Sequence, residues 1–171
     1  VQTRSPLVAR DIDLFRKLQG RIVVCMSITT DDDAIRRIFE PACVPISARI
    51  EAIHQVRAAG IPTQASIAPL LPGNAERLAA LLDPAVDWVV VSTFRDDGGS
   101  GGKTRDWAAQ LYRRHGYGDY LHDGDRQAEA TIATLRRVLG PERVRVGKDG
   151  FDQVCREHGI SDAPLEQLSL F

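Results

Sequence analysis

The side chains in this chain best suited to bind or react with something stand at the ends of apolar runs. Ser27, Thr29 and Thr30 close one run, Ser66 the next, and Ser92 and Thr93 a third. A hydroxyl can both donate and accept a hydrogen bond, so several strand ends together could line a ligand site. Ser and Thr serve equally well as helix caps, and Thr30 or Asp31 is expected to cap the helix that follows it. If residues 22–28 form a strand, Ser27 and Thr29 share a face with Val23 and Cys25.

Two denser clusters invite sharper readings. Gly98-Gly99-Ser100-Gly101-Gly102-Lys103-Thr104 has the ingredients of a phosphate-binding loop. A P-loop needs four residues between its first glycine and the Gly-Lys-Thr, so that successive N–H groups wrap the phosphates. Counting back from Gly102, that position holds Asp97, a carboxylate where an anion should sit. A glycine-rich lid, with Lys103 touching an anion, is the better expectation. His122-Asp123-Gly124-Asp125, near His115, has metal-binding side chains but no second cluster at ligand spacing, so Asp123 or Asp125 reads as a helix cap. No metal site is expected within the chain. His54 falls mid-helix and His158 near a helix end, in structural or solvent-facing positions.

Cys25, Cys43 and Cys155 are too widely spaced for a CxxC pair, and their odd number argues against a disulfide framework. A reducing compartment, the cytoplasm, is the expectation. Hydrophobic residues make up 43% and charged residues 26%, with a formal charge of −1 over 171 residues. No global field therefore draws the chain to nucleic acid or membrane. No apolar run has the length of a membrane span.

The elements that must position these groups alternate. Helical spacing covers 7–19, and 22–28 is an apolar run of parallel-strand character. A short helix is expected at 31–39, ended by Pro41, and a helix capped by Ser47 runs to Gly60 and Pro62. Strand 63–70, helix 74–82 and strand 87–94 follow, then helices at 104–115 and 123–139, a short strand at 143–146 and a helix near 151–158. Such β/α alternation gives parallel strands joined by crossover helices: an open parallel sheet or partial (β/α) barrel of about four strands. In either architecture ligands sit at the carboxyl ends of the strands. Residues 1–160 read as one β/α domain and 161–171 as a mobile tail. Residue 1 is Val, and 1–3 read as the end of a strand whose body lies upstream. The sheet is therefore expected to expose an edge and apolar surface there, with part of the active site missing.

Thr3-Arg4-Ser5-Pro6-Leu7-Val8-Ala9-Arg10-Asp11, the strand Val24-Cys25-Met26-Ser27-Ile28 and the turn Phe39-Glu40-Pro41 carry a resemblance. With Ala48-Arg49-Ile50-Glu51-Ala52 and Ile67-Ala68-Pro69, they stand in an order and spacing similar to radical-SAM proteins of the spore photoproduct lyase-like, DNA repair photolyase group. The likeness runs from about 1 to 73. It implies the C-terminal portion of an iron–sulfur enzyme in which a [4Fe-4S] cluster reductively cleaves S-adenosylmethionine. By the same resemblance, Arg4 falls where a basic residue meets the methionine carboxylate, and Ser27 where a strand-end hydroxyl contacts the cofactor. The three cysteines are not grouped as cluster ligands. The chain alone is thus expected to hold neither cluster nor activity, the ligands lying before Val1. A catalytically empty binding module of the same fold is the alternative.

Two partners are expected. Residues 95–148 hold eleven Lys or Arg against eight Asp or Glu, and Arg105, Arg113, Arg114, Arg136, Arg137, Arg143, Arg145 and Lys148 could track nucleic-acid phosphates. The terminal Gln167-Leu168-Ser169-Leu170-Phe171 looks like the pentapeptide that docks bacterial repair proteins on the DNA sliding clamp. Gln167 would bond at the rim, and Leu168, Leu170 and Phe171 would fill an apolar pocket.

Overall fold

The computed structural model of the chain describes residues 1–18, 21–92, 103–118, 120 and 124–160. Five strands form one parallel sheet in simple chain order: β1 (Gln2–Thr3), β2 (Val24–Ser27), β3 (Thr63–Ile67), β4 (Trp88–Val91) and β5 (Val144–Val146). The sheet is open. The order never reverses, as it must in a doubly wound sheet, so the winding is that of a barrel segment. The strand stub read at 1–3 is β1, which joins the four strands expected further along the chain. It lies at the sheet edge, and Val1, Leu7 and Leu14 around it are more than half exposed.

Register divides the sheet into two unlike faces. Met26, Ala65, Val89 and Val144 are cross-strand neighbours in one row, and Ile28, Ile67 and Val91 lie on the same side. Onto this apolar face pack α3 (Ile46–Ala58), α4 (Ala75–Leu82) and α6 (Gly124–Leu139). Each helix contributes an apolar stripe at helical spacing: Ile46, Ile53 and Val56; Leu78 and Leu82; Ala128, Leu135 and Leu139. Each large aliphatic side chain so buried contributes about 1.5–3 kcal/mol. Two further helices, α2 (Asp33–Phe39) and α5 (Lys103–Arg114), form a second cluster at the strand ends. There the Phe39 and Tyr112 rings meet with centroids 4.6 Å apart.

The opposite face carries Cys25, Ser27, Gln64, Ser66, Trp88 and Arg145. It is crossed by α7 (Gly147–Glu157). A side chain at Gly150 would strike the Cβ of Arg145, which is why the helix passes there on a glycine. The Arg145 guanidinium donates to both carboxylate oxygens of Glu157 at 3.0 and 2.8 Å. His158, at the helix end, sets its ring edge-on to Trp88.

Local corrections to the expected elements have simple causes. Residues 7–19 are not one α-helix: a 3-10 segment, Pro6–Asp11, precedes α1 (Ile12–Arg16). Ser47 is not a cap, because α3 starts at Ile46 behind Pro45, whose fixed φ suits a helix start. Neither Thr30 nor Asp31 caps α2. Asp32 does, accepting from the Ala34 N–H at 2.7 Å. Thr30 instead donates to the Pro72 carbonyl. Asp31 reaches across the strand ends to the Asn74 N–H and to Arg77. Gly73 leaves no room for a Cβ beside Thr30 and Asp31. Among the described residues, no helix is long and apolar enough to cross a membrane.

Candidate functional site

The segments after β1 and β3, the end of α2 with the turn after it, and α5 line a cleft of about 230 Å³, formed among others by Arg4, Glu40, Pro41, Cys43, Pro69 and Trp107. Arg4 lies just past β1, in a turn closed by Ser5, which accepts from the Leu7 N–H at 3.2 Å ahead of Pro6. The side chain of Arg4 stays half exposed at the cleft. Glu40 follows the last helical residue of α2 and precedes Pro41. A residue before proline is driven out of the helical region, so the chain leaves the helix here.

Folding the sequence this way depends on two arginines. Arg36 is buried; its Nε donates to Asp33 at 2.9 Å and its Nη1 to the Cys43 carbonyl at 2.6 Å, holding the 40–43 turn against α2. Asp33 also accepts from the Ile46 N–H at 3.0 Å, which ties the start of α3 to α2. That backbone bond is the main reason its carboxyl is held below the ordinary aspartate range, with Arg36 and Arg37 adding to it.

Arg49 is the more unusual group. It is fully buried within the apolar face of α3. Its Nη1 donates to the Ser27 carbonyl and its Nη2 to Glu40, both at 2.9 Å, while Nε has no partner among the described residues. A buried guanidinium is tolerated only when paired, and Glu40 supplies the charge. The other oxygen of Glu40 lies 3.6 Å from Nε of Arg4. Ser27, Arg49, Glu40 and Arg4 therefore form a chain of contacts from a strand end to the cleft. At 3.6 Å this contact is an ion pair rather than a hydrogen bond, and the half-exposed Arg4 guanidinium keeps donors that an anion can reach. Chemically, the cleft can receive a small anionic group on Arg4 with an apolar body against Pro41, Pro69 and Trp107.

Of the residues singled out in the sequence, Arg4 lines the cleft. Ser27 is joined to it by its carbonyl, but its hydroxyl lies on the polar sheet face and does not line the cleft. The Ser66 side chain is its cross-strand neighbour there. Glu40 and Arg49 received no role from the sequence. The available signal was an arginine at a stripe position, three residues after Ile46 and four before Ile53. Cys25 is buried beside Gln64, whose amide donates to its sulfur at 3.3 Å, and burial pushes the thiol up to about 11. Cys43 lies at the cleft and Cys155 on α7. Among the described residues, no group of three His, Cys, Asp or Glu side chains converges on a metal-sized site. His54 is exposed on α3 and His115 at the end of α5.

The arginines expected to track phosphates separate into two kinds. Arg143 is tied to Asp83 and to the carbonyls of Asp83, Val86 and Asp87, and Arg145 to Glu157; both hold elements together rather than facing solvent. Arg137 pairs with Glu76 and Lys148 with Asp152 at the surface. Arg113, Arg114 and Arg136 are exposed. The glycine loop at 98–102, His122, Asp123, Thr93 and the tail with Gln167, Leu168, Leu170 and Phe171 lie outside the described residues, as do the side chains of Lys103, Arg105 and Asp125.

Comparison with known proteins adds little. No family model matches the chain, and no solved structure matches it. A stretch of 77 residues is 32% identical to the uncharacterized protein ORF301 of Acidianus two-tailed virus, covering 45% of this chain and 26% of that protein. The chain thus spans about a quarter of the length of that relative.

Proposed function

We propose that this chain forms the strand-end half of an S-adenosylmethionine-binding β/α domain, in which Arg4 receives the methionine carboxylate. The observation that carries this reading is the cleft itself. Arg4 stands at the carboxyl end of a parallel sheet wound in simple order, braced through Glu40 by a fully buried arginine, with its guanidinium half exposed. The resemblance to the spore photoproduct lyase-like radical-SAM group supports the same assignment of Arg4 and extends it to an intact enzyme acting on DNA or another nucleic acid. Exposed Arg113, Arg114 and Arg136 supply positive charge for such a partner. The terminal pentapeptide would tether the protein to a bacterial sliding clamp.

The two implied cofactors fit the chain differently. An iron–sulfur cluster needs thiolates grouped on one site. Cys25 is buried on β2, Cys43 lies at the cleft and Cys155 is on α7, so these cysteines do not fit a cluster. S-adenosylmethionine fits on the side of its carboxylate, through Arg4. When bound, the cofactor supplies an activated carbon on its sulfonium; this chain's residues bind and orient.

Equilibrium binding of S-adenosylmethionine to the chain and to Arg4→Ala tests the reading. The variant should lose about 1.5–3 kcal/mol of binding free energy, the usual worth of a hydrogen bond to a charged group. Equal affinity in both would reduce Arg4 to a surface residue.

A further inference from the structure

The charges around the cleft allow a narrower statement about what it binds. Arg4 and Glu40 are the charged side chains lining it, and Arg49 lies behind Glu40. Two guanidinium groups and one carboxylate leave a surplus of one positive charge. On the surrounding elements Asp33 contacts both Arg36 and Arg37 on α2, and Asp31 pairs with Arg77 across the strand ends.

We propose that Glu40 is the specificity-determining residue of the cleft, admitting a monoanionic carboxylate to Arg4 and turning away a phosphate dianion. The proposal rests on the reading of Arg4 as an anion receptor given above. Three features of Glu40 support it. Arg49 holds one carboxylate oxygen at 2.9 Å, so the side chain cannot swing away when an anion arrives. The other oxygen lies 3.6 Å from Nε of Arg4, so an anion that reaches the half-exposed guanidinium comes close to this carboxylate. A carboxylate placed there neutralises the one surplus positive charge of Arg4, Arg49 and Glu40. A phosphate dianion brings a second negative charge close to a Glu40 side chain that is only 9% exposed. At that burial water screens the repulsion poorly. Glu40 is thus a positioning residue for Arg4 and a charge filter for its ligand.

The test uses small anions as probes, so that it stands apart from the cofactor itself. Acetate and inorganic phosphate are titrated above neutral pH, where phosphate is dianionic, into the chain and into Glu40→Gln. The indole N–H signal of Trp107 at the cleft reports occupancy by NMR, and that of Trp88, beside His158, serves as internal reference. The native chain should take acetate in preference to phosphate. Glu40→Gln, which keeps an oxygen for Arg49 but removes the charge, should shift the ratio toward phosphate by roughly tenfold.

An unchanged ratio in a folded Glu40→Gln variant overturns the filter, as does a native chain that prefers phosphate or binds neither anion. Should Glu40→Gln fail to fold by circular dichroism, Glu40→Asp keeps the charge. It must then retain the native preference, and phosphate binding by it overturns the proposal. S-adenosylmethionine is titrated in parallel. Its failure to bind, with the anion preference and its shift intact, would remove the cofactor reading and leave the filter standing.

Discussion

The two faces of the sheet were built under different rules. On the helix-covered face, Val24, Met26, Ile28, Ala65, Ile67, Val89 and Val91 are buried against α3, α4 and α6, and each needs only to exclude water. On the other face Cys25, Ser27, Gln64 and Ser66 are nearly as buried, at 6% exposure or less, yet carry polar atoms. Part of that face is ordered by specific contacts: Gln64 to Cys25, Arg145 to Glu157, Trp88 to His158. The strand-end cleft combines both rules, because Arg49 leaves the apolar face of α3 to bond Ser27 and Glu40. Apolar volume sets the stability of this chain, and the placement of a few polar groups sets what it can bind.

The largest expected effects come from breaking each rule at its strictest point. Arg49→Ala should destabilise the chain by about 3–5 kcal/mol, since it leaves Glu40 buried beside no partner of its own depth. Ile53→Ala, on the apolar face, should cost about 2–5 kcal/mol through the cavity it opens. Chemical denaturation measures both. What separates them is ligand binding: losing Arg49 should abolish anion binding at Arg4 even where the chain remains folded, while losing Ile53 should leave it unchanged below the unfolding transition.

Thiol chemistry sharpens the contrast next. Burial raises the Cys25 thiol to about 11. A thiol raised in the folded state favours folding below its unfolded range, and that contribution is lost as pH climbs through the folded value. Stability should therefore fall on the alkaline side. Alkylation at mildly alkaline pH, followed by peptide mass spectrometry, should modify half-buried Cys43 well before Cys25, by roughly tenfold or more in rate. Equal rates would mean that the polar face is open to water.

Smaller still is the expected effect of Ser66→Ala. Its hydroxyl has no hydrogen-bond partner among the described residues, so removal should change stability by less than about 0.5 kcal/mol. A loss above about 1.5 kcal/mol would reveal a contact on the polar face that this account lacks. The smallest stability change, none at all, is expected for Leu170→Ala with Phe171→Ala in the tail. That pair should instead abolish binding to a bacterial sliding clamp. Clamp binding unaffected by the pair, or absent in the native chain, would remove the tether.

The sequence made the apolar rule readable and the polar rule mostly unreadable. An apolar run at 22–28 can be recognised as a buried strand because every residue in it is buried whichever way it points. The stripe Ala128, Ile132, Leu135 and Leu139 is legible because helical spacing is a local property. The link from Glu40 to Arg49 is not local. It depends on Pro41 ending α2 so that a carboxylate meets a helix nine residues on. The bond from Asp87 to the backbone and hydroxyl of Thr63 spans 24 residues, with no spacing rule to announce it. Asp32 taking the cap expected of Thr30 or Asp31 has the same origin, since its neighbours are drawn to Pro72, Asn74 and Arg77 at the start of α4. Arg4 stands out through a resemblance, while Glu40 and Arg49, which aim it, meet only through the fold.

The most direct test of the central claim is a crystal structure of the chain with S-adenosylmethionine or its demethylated product. The account places the methionine carboxylate on the guanidinium of Arg4, at about 2.7–2.9 Å, with Glu40 still bonded to Arg49 and the ligand body against Pro41 and Trp107. A ligand bound away from Arg4, or Arg4 turned to solvent with the cleft filled, would contradict it.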